Sequence, residues 1–266
     1  MTDTSRPMPT PSLRLPEVVR VEAPTPGIRR VVLGGPELDG LAVPARSLGP
    51  YVKLLIPSGE GAPAWPSLCT GGRLLWPEQG PRPAMRTYSV RHHDAYAREL
   101  TLDVVLHERG AGSDWARRAG PGDRVGLWGP GAPPPPEADW LLLAGDHTAL
   151  PAIAYVLENL PATARGRAFI EVPGPAEEQA LRRSAAVEVT WLHRGGGTGP
   201  SGLASCVRAA PCPRGARPLI WAGAEAGIAR AIRRHARRDR GLGPDQVQVL
   251  NHWKQGAPEG AFDYCT

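Results

Sequence analysis

Apolar and polar residues alternate over short runs in the first half of the chain and recur at helical spacing in the second. The runs RRVVLGG (29–35), YVKLLIP (51–57), RTYSVR (86–91), ELTLDVVLH (99–107) and DRVGLWG (123–129) are β-branched or alternating and bounded by Gly and Pro, the pattern of strands. One helical pattern interrupts them, SDWARRAG (113–120), with Ser113 placed to cap its start and Gly120 its end. Strands with so little helix between them predict a small antiparallel β-barrel.

The character changes after GPGAPPPPEADW (129–140), whose four consecutive prolines read as a stiff spacer. A boundary here gives two domains, 1–132 and 133–266. Beyond it, the strand patterns WLLLAG (140–145), RAFIEV (167–172), VEVTWL (187–192), PLIWAG (218–223) and QVQVLN (246–251) alternate with other segments. Those segments, TALPAIAYVLENL (148–160), EEQALRR (177–183), LASCVRAA (203–210) and EAGIARAIRRHARR (225–238), read as helices, the first with Thr148 as its cap. Strands joined by helices imply right-handed crossovers and an α/β doubly wound parallel sheet, whose ligands sit beyond the carboxyl ends of the strands.

Composition narrows the function classes. A length of 266 residues with 41% apolar content supports two cores. The balance of 31 basic to 26 acidic residues suits anionic ligands, and with Lys53 and Lys254 the only lysines the positive charge is nearly all guanidinium. No basic stripe interleaved with aromatics appears, so no nucleic-acid partner is expected. The start, MTDTSRPMPTPSLRLPE, lacks the apolar core of a secretory signal, and WLLLAG is too short to span a bilayer. A cytoplasmic monomer with no integral membrane segment is the expectation. Cys69, Cys206, Cys212 and Cys265 lack paired spacing; even with His193 nearby in sequence they read as reduced thiols, and no metal site is expected.

Two strand exits carry candidate chemistry. AGDHTALPA (144–152) and WAGAEAG (221–227) each have glycine at the exit and then open a helix whose free amides face an anion. Neither is a strict G-x-G-x-x-G fingerprint, and each taken alone reads as an ordinary tight strand-to-helix turn. In the barrel half, LHERGAGSDWA (106–116) offers Gly110 and Gly112 for close backbone approach. RTYSVR adds a guanidinium for a pyrophosphate, an aromatic face for stacking and a hydroxyl for a ring atom.

In that order, RTYSVR, LDVVLH, GSDWARRAGPGDRVGLWGPG, WLLLAGDHTALPAIAYVLENLP, IWAGAEAGIARAIRRH and NHWKQG resemble the siderophore-interacting proteins, ferredoxin-reductase-like flavoenzymes that reduce ferric siderophores. The resemblance implies an FAD-binding barrel and an NAD(P)H-binding α/β domain, with FAD as cofactor and NAD(P)H as cosubstrate. It places Arg86 on the FAD phosphates, Tyr88 against the isoalloxazine and Ser89 near N5, with Val90 and Arg91 continuing the contact. His107, Gly112, Ser113 and Trp115 would hold the rest of FAD. Gly145, Asp146, Thr148, Ala149, Ala224 and Glu225 would face the nicotinamide nucleotide. Lys254, after Trp253, would attract the anionic chelate, and Ser89 and Lys254 would act in the reaction itself. The sequence departs from the family pattern at His147, where the motif G-D-E-T has glutamate, at His252, where tyrosine is common, and in the loop HERGAGSDW. Electrons would pass from NAD(P)H through flavin to chelated Fe(III), releasing Fe(II). A flavin reductase with another small-molecule or protein acceptor is one alternative; a non-catalytic siderophore-binding protein that kept the fold is another.

Overall fold

The computed structural model describes residues 12–58, 61–70, 72–108, 110–184, 186–195, 199–257 and 259; the amino-terminal stretch to residue 11 and Cys265 lie outside them. The chain divides into two compact units, Met1–Pro133 and Pro134–Thr266. Among the described residues no helix is long and apolar enough to cross a membrane.

The first unit is antiparallel. Its strands are β1 (Ser12–Arg14), β2 (Glu17–Thr25), β3 (Ile28–Gly34), β4 (Tyr51–Ile56), β5 (Ser67–Leu68), β6 (Leu74–Leu75), β7 (Ala84–Asp94), β8 (Glu99–Val105) and β9 (Gly126–Gly131), with helix α1 (Ala111–Arg118) between the last two. Seven of them form one sheet in the order β1-β9-β4-β7-β8-β3-β2, and β5 pairs with β6. A bridge between Glu17 and Arg124 joins β2 to the segment entering β9. The Val18 amide donates to Asp123 O at 2.8 Å and the Gly122 amide to Val18 O at 2.9 Å, so the sheet closes on itself. Val31, Leu33, Val52, Leu54, Leu100, Leu102 and Leu127 are among its buried apolar side chains. Between β3 and β8, Arg30 stands opposite Asp103. Its guanidinium grips that buried carboxylate with two bonds of 2.7 and 2.8 Å.

The second unit is a five-stranded parallel sheet of β10 (Trp140–Gly145), β11 (Gly166–Val172), β12 (Val187–His193), β13 (Pro218–Glu225) and β14 (Val247–Trp253), in the order β12-β11-β10-β13-β14. Helices α2 (Leu150–Asn159), α3 (Leu203–Ala209) and α4 (Ala226–Arg234) cover it. Leu142 and Ala144 of β10 share a core with Leu203 and Val207 of α3 and with Ala229 and Ile232 of α4. Gly145, of opposite parity, faces Ala149 and Ile153 at the start of α2, so helices lie on both faces. The chain reverses its direction of growth between β10 and β13, the crevice where doubly wound sheets bind ligands.

Three local expectations are corrected. Ser113 does not cap α1: the helix opens one turn earlier, behind Gly110, because Gly110 takes a φ of 144° that other residues rarely adopt. The cap after β10 is Asp146 rather than Thr148; its side chain accepts from the Thr148 amide ahead of a short 3-10 turn, His147–Ala149. Residues 177–183 form no helix. Leu181 is their single large apolar side chain, too little to hold a helical stripe against the sheet.

Candidate functional site

In the first unit the antiparallel register decides which side chains meet. Tyr51 pairs with Ser89, Val52 with Tyr88, Lys53 with Thr87 and Leu54 with Arg86. Arg86 and Tyr88 therefore share a face of β7, whereas Ser89 projects from the other face with Thr87, Tyr51 and Lys53. Lys53 is half-buried, and its Nζ donates to Thr87 Oγ1 at 3.3 Å rather than standing free in solvent.

The first turn of α1 comes up against the Arg86–Tyr88 face. A methyl group on Gly112 would collide with the Tyr88 hydroxyl and lie 3.2 Å from Tyr88 Cζ and 3.8 Å from Arg86 Cγ. The root of the Arg86 side chain, the Tyr88 phenol and a helix opening whose first amides have no partner within the helix thus come together. Arg86, Thr87, Tyr88 and Ser89 are all half-buried, so no side chain seals the strand. These residues fit a flat aromatic group that ends in phosphates.

Other expected contacts serve the scaffold. The Ser113 hydroxyl is buried; it accepts from the His107 amide at 3.0 Å, donates to the His107 carbonyl at 2.9 Å and accepts from Arg117 at 2.6 Å. That bond set ties the end of β8 to α1 and leaves the exposed His107 ring over Gly110, where a Cβ would stand 2.6 Å from His107 Cε1. Trp115 and Val90 are core residues, with 7% and 0% exposure. Arg91 is drawn toward Asp103, 3.9 Å from its carboxylate, and away from the line of Arg86 and Tyr88.

In the second unit Asp146 is the centre of the arrangement. Its Oδ1 accepts from the Thr148 amide at 2.9 Å and the Thr148 hydroxyl at 2.6 Å. Its Oδ2 accepts from the Glu225 amide at 2.9 Å and the Trp253 indole at 2.8 Å. The carboxylate joins the exits of β10, β13 and β14, and it is buried. Asp146, expected to face the nucleotide, instead has its acceptor sites filled by protein donors. Glu225 caps α4, its Oε2 accepting from Gly227 N at 2.5 Å and Ile228 N at 3.4 Å. The side chains of Ala149 and Ala224 are wholly buried, and Gly145 leaves room for Ala149 Cβ and Ile153 Cδ1, so these three shape the turn from inside.

A β-bulge makes this junction. Ala224 pairs with Asn251 but Glu225 with Trp253, which makes His252 the extra residue. Without the bulge, His252 and Trp253 would point to opposite faces. With it, His252 Nδ1 lies 3.3 Å from Thr148 Oγ1 while Trp253 reaches Asp146. Because the Thr148 hydroxyl hydrogen goes to a carboxylate, Thr148 must accept from His252, which puts the imidazole hydrogen on Nδ1. The ring packs edge-on to Trp221 at 6.2 Å and occupies the space above Gly223. Burial holds its pKa below the ordinary histidine value, against the opposing pull of Asp146. The hub of Asp146, His252 and Trp253 was not legible in the sequence, because nothing in a linear pattern marks where a bulge falls.

Residues 17–134 match the family model of the siderophore-interacting FAD-binding domain, and residues 138–256 that of the siderophore-interacting protein. The chain belongs to the siderophore-interacting protein family. Its first unit is the FAD-binding domain of that family. Over 261 residues the chain is 37% identical to an uncharacterized protein of Mycobacterium tuberculosis, covering 92% of each. Over 253 residues it is 32% identical to the ferric vibriobactin reductase ViuB of Vibrio cholerae, covering 94% of this chain and 92% of that one. A siderophore utilization protein from T. fusca has a crystal structure that superposes with a TM-score of 0.81 at 36% identity, covering 97% and 98% of the two chains. Against the siderophore-interacting pattern, His147 stands where glutamate is expected. Here His147 Nε2 lies 3.3 Å from the largely buried Glu177, so a carboxylate is still supplied to the turn, from the segment after β11.

Among the described residues Cys69, Cys206 and Cys212 are not in disulfides, and His193 bonds to Glu178 at 2.7 Å.

Proposed function

We propose that this protein is a cytoplasmic, monomeric, FAD-dependent reductase of ferric siderophores that draws electrons from NAD(P)H and releases Fe(II). The observation that carries the reading is the convergence of Arg86, Tyr88 and the glycine-opened turn of α1. It gains weight from near full-length similarity to a protein named as a ferric vibriobactin reductase. Bound FAD supplies the exchange between a donor that gives two electrons together and a ferric centre that accepts one at a time.

The protein's part is to bind, orient and attract. Arg86, exposed at its guanidinium and bonded to the Met85 carbonyl at 2.8 Å, has the fork geometry to hold a pyrophosphate. Tyr88 supplies a flat wall for the isoalloxazine, and the amides at the start of α1 complement negative charge. Ser89, on the opposite face of β7 from Arg86 and Tyr88, would offer its hydroxyl to the flavin ring. In the second unit the turns after β10 and β13, braced by Asp146 and Glu225, receive the pyridine nucleotide. Lys254 is exposed just beyond β14, where an ammonium draws in an anionic chelate. Oxygen-rich chelators hold ferric iron far better than ferrous iron, so reduction releases the metal.

The test is direct. Purified protein is yellow with bound FAD, is bleached anaerobically by NADH or NADPH, and then yields Fe(II) from a ferric catecholate or hydroxamate in a ferrozine trap. A colourless protein that takes up no FAD on reconstitution overturns the reading, as does bleached protein that reduces no ferric chelate.

A further inference from the structure

We propose that Asp146 is a positioning residue for the substrate side of the molecule: through the Trp253 indole it holds the end of β14 and so sets where Lys254 stands. This rests on the reading of Lys254 as the residue that attracts an anionic ferric chelate.

The Asp146 carboxylate receives four hydrogen bonds at 2.6 to 2.9 Å, and a carboxylate has about four acceptor positions. No lone pair remains to recognise a ligand, and the group is 5% exposed. Two of its donors come from the turn it caps. The other two come from distant elements, the Glu225 amide at the start of α4 and the Trp253 indole at the last residue of β14. The indole bond has no role in the sheet ladder. It fixes the side chain next to Lys254, in a strand that the bulge at His252 has already turned. After Trp253 the chain makes one bridge, Lys254 with Ala257, whose Ala257 amide donates to Lys254 O at 3.1 Å. Lys254 is therefore anchored on one side by a narrow turn, with the Gln255 amide 3.5 Å from Glu225 Oε1, and on the other by the pairing of Trp253 with Glu225 together with the bond between Trp253 and Asp146. Consecutive Cα atoms are about 3.8 Å apart, so a displaced Trp253 carries Lys254 with it.

The experiment uses FAD-loaded Asp146→Ala, Trp253→Phe and the double variant, with two readouts. The first is hydrogen exchange of the amides at 254–257. The second is equilibrium binding of the tris(2,3-dihydroxybenzoate) complex of Fe(III) to the oxidised protein, followed by ultrafiltration. Trp253→Phe is expected to speed exchange and weaken chelate binding by about tenfold, the worth of one hydrogen bond to a charged group, and Asp146→Ala, which removes that acceptor, by at least as much. The double variant should be no worse than Asp146→Ala alone, because the Trp253 bond is among those the alanine removes. Unchanged exchange at 254–257 overturns the proposal, and so do losses that simply add. Faster exchange with wild-type chelate affinity also overturns it, since Asp146 would then serve the fold alone. If Asp146→Ala fails to fold, Trp253→Phe, which keeps the aromatic packing and removes only the donor, decides alone. A wild-type protein that binds no ferric chelate sinks the functional reading, and the exchange readout still judges Asp146.

Discussion

Gly112→Ala puts a methyl group where the Tyr88 hydroxyl now lies, with Tyr88 Cζ only 3.2 Å away. Gly112 is a buried helical residue, so α1 cannot simply lift away. The phenol must swing off the first turn of α1. Overpacking of this kind costs about 1–3 kcal/mol of stability. If Tyr88 forms the wall for the isoalloxazine, its displacement also forfeits a stacking contribution of about 0.5–1.5 kcal/mol. That corresponds to roughly two- to tenfold weaker FAD binding. The assay is titration of apoprotein with FAD, followed by flavin fluorescence, alongside urea unfolding. Gly120→Ala is the matched control, since an added Cβ there meets nothing within 4 Å. Adding Tyr88→Phe to Gly112→Ala removes the colliding oxygen and should restore part of the affinity. Wild-type FAD affinity and stability in Gly112→Ala would refute the claim that Tyr88 and α1 together form the flavin wall.

Asp103→Ala leaves Arg30 and Arg91 without the carboxylate they share, and should cost about 3 kcal/mol in urea unfolding; a loss below about 1 kcal/mol counts against a structural role for that cluster. Gly223→Ala places a Cβ 2.8 Å from His252 Cε1 and should expel the imidazole, lowering stability by about 1–3 kcal/mol and moving the His252 resonance toward that of a solvated histidine; an unmoved resonance refutes the packing. Because burial lowers the His252 pKa in the folded state, the unfolded chain binds more protons as pH falls through the ordinary histidine range. Stability contributed by neutral His252 is thus present above about pH 6.5 and declines on acidification, with a slope of up to about 1.4 kcal/mol per pH unit until the folded-state pKa is reached. His252→Asn should flatten the stability profile between about pH 5 and 7, and an unchanged slope contradicts this account.

Much of the architecture could be read from the chain because periodicity reports burial directly. Strands β3, β4, β7 and β8 are apolar runs between Gly and Pro, and the five parallel strands stand out as buried segments between helical ones. β1 and β2 escaped notice because Pro16 separates them and only Val18 and Thr25 of β2 are buried, which leaves no alternation to detect. At the candidate site, RTYSVR and LHERGAGSDWA are two separate motifs in the sequence, and the structure brings Arg86, Tyr88 and Gly112 from them together. Side-chain allegiance was not legible. Ser113, Arg91 and Asp146 are residue types that hold anions or nucleotides in many proteins, yet here each is engaged by other protein groups, Asp146 by residues 79 and 107 positions away. The partnership of Asp146 depends on register, and register there depends on a single inserted residue at 252 that composition does not reveal.

That inserted residue has a consequence for how the protein behaves in company. β14 is the outermost strand of its sheet, the position from which one polypeptide can recruit another into a growing ladder. The irregularity at His252 skews the strand, Arg233 occupies the carbonyl of Val249 at 2.8 Å, and a lysine follows directly after the last paired residue. Together these blunt an otherwise exposed template for intermolecular pairing. A protein trimmed of residue 252 would present a straighter rim and should clump at concentrations where the parent stays dispersed.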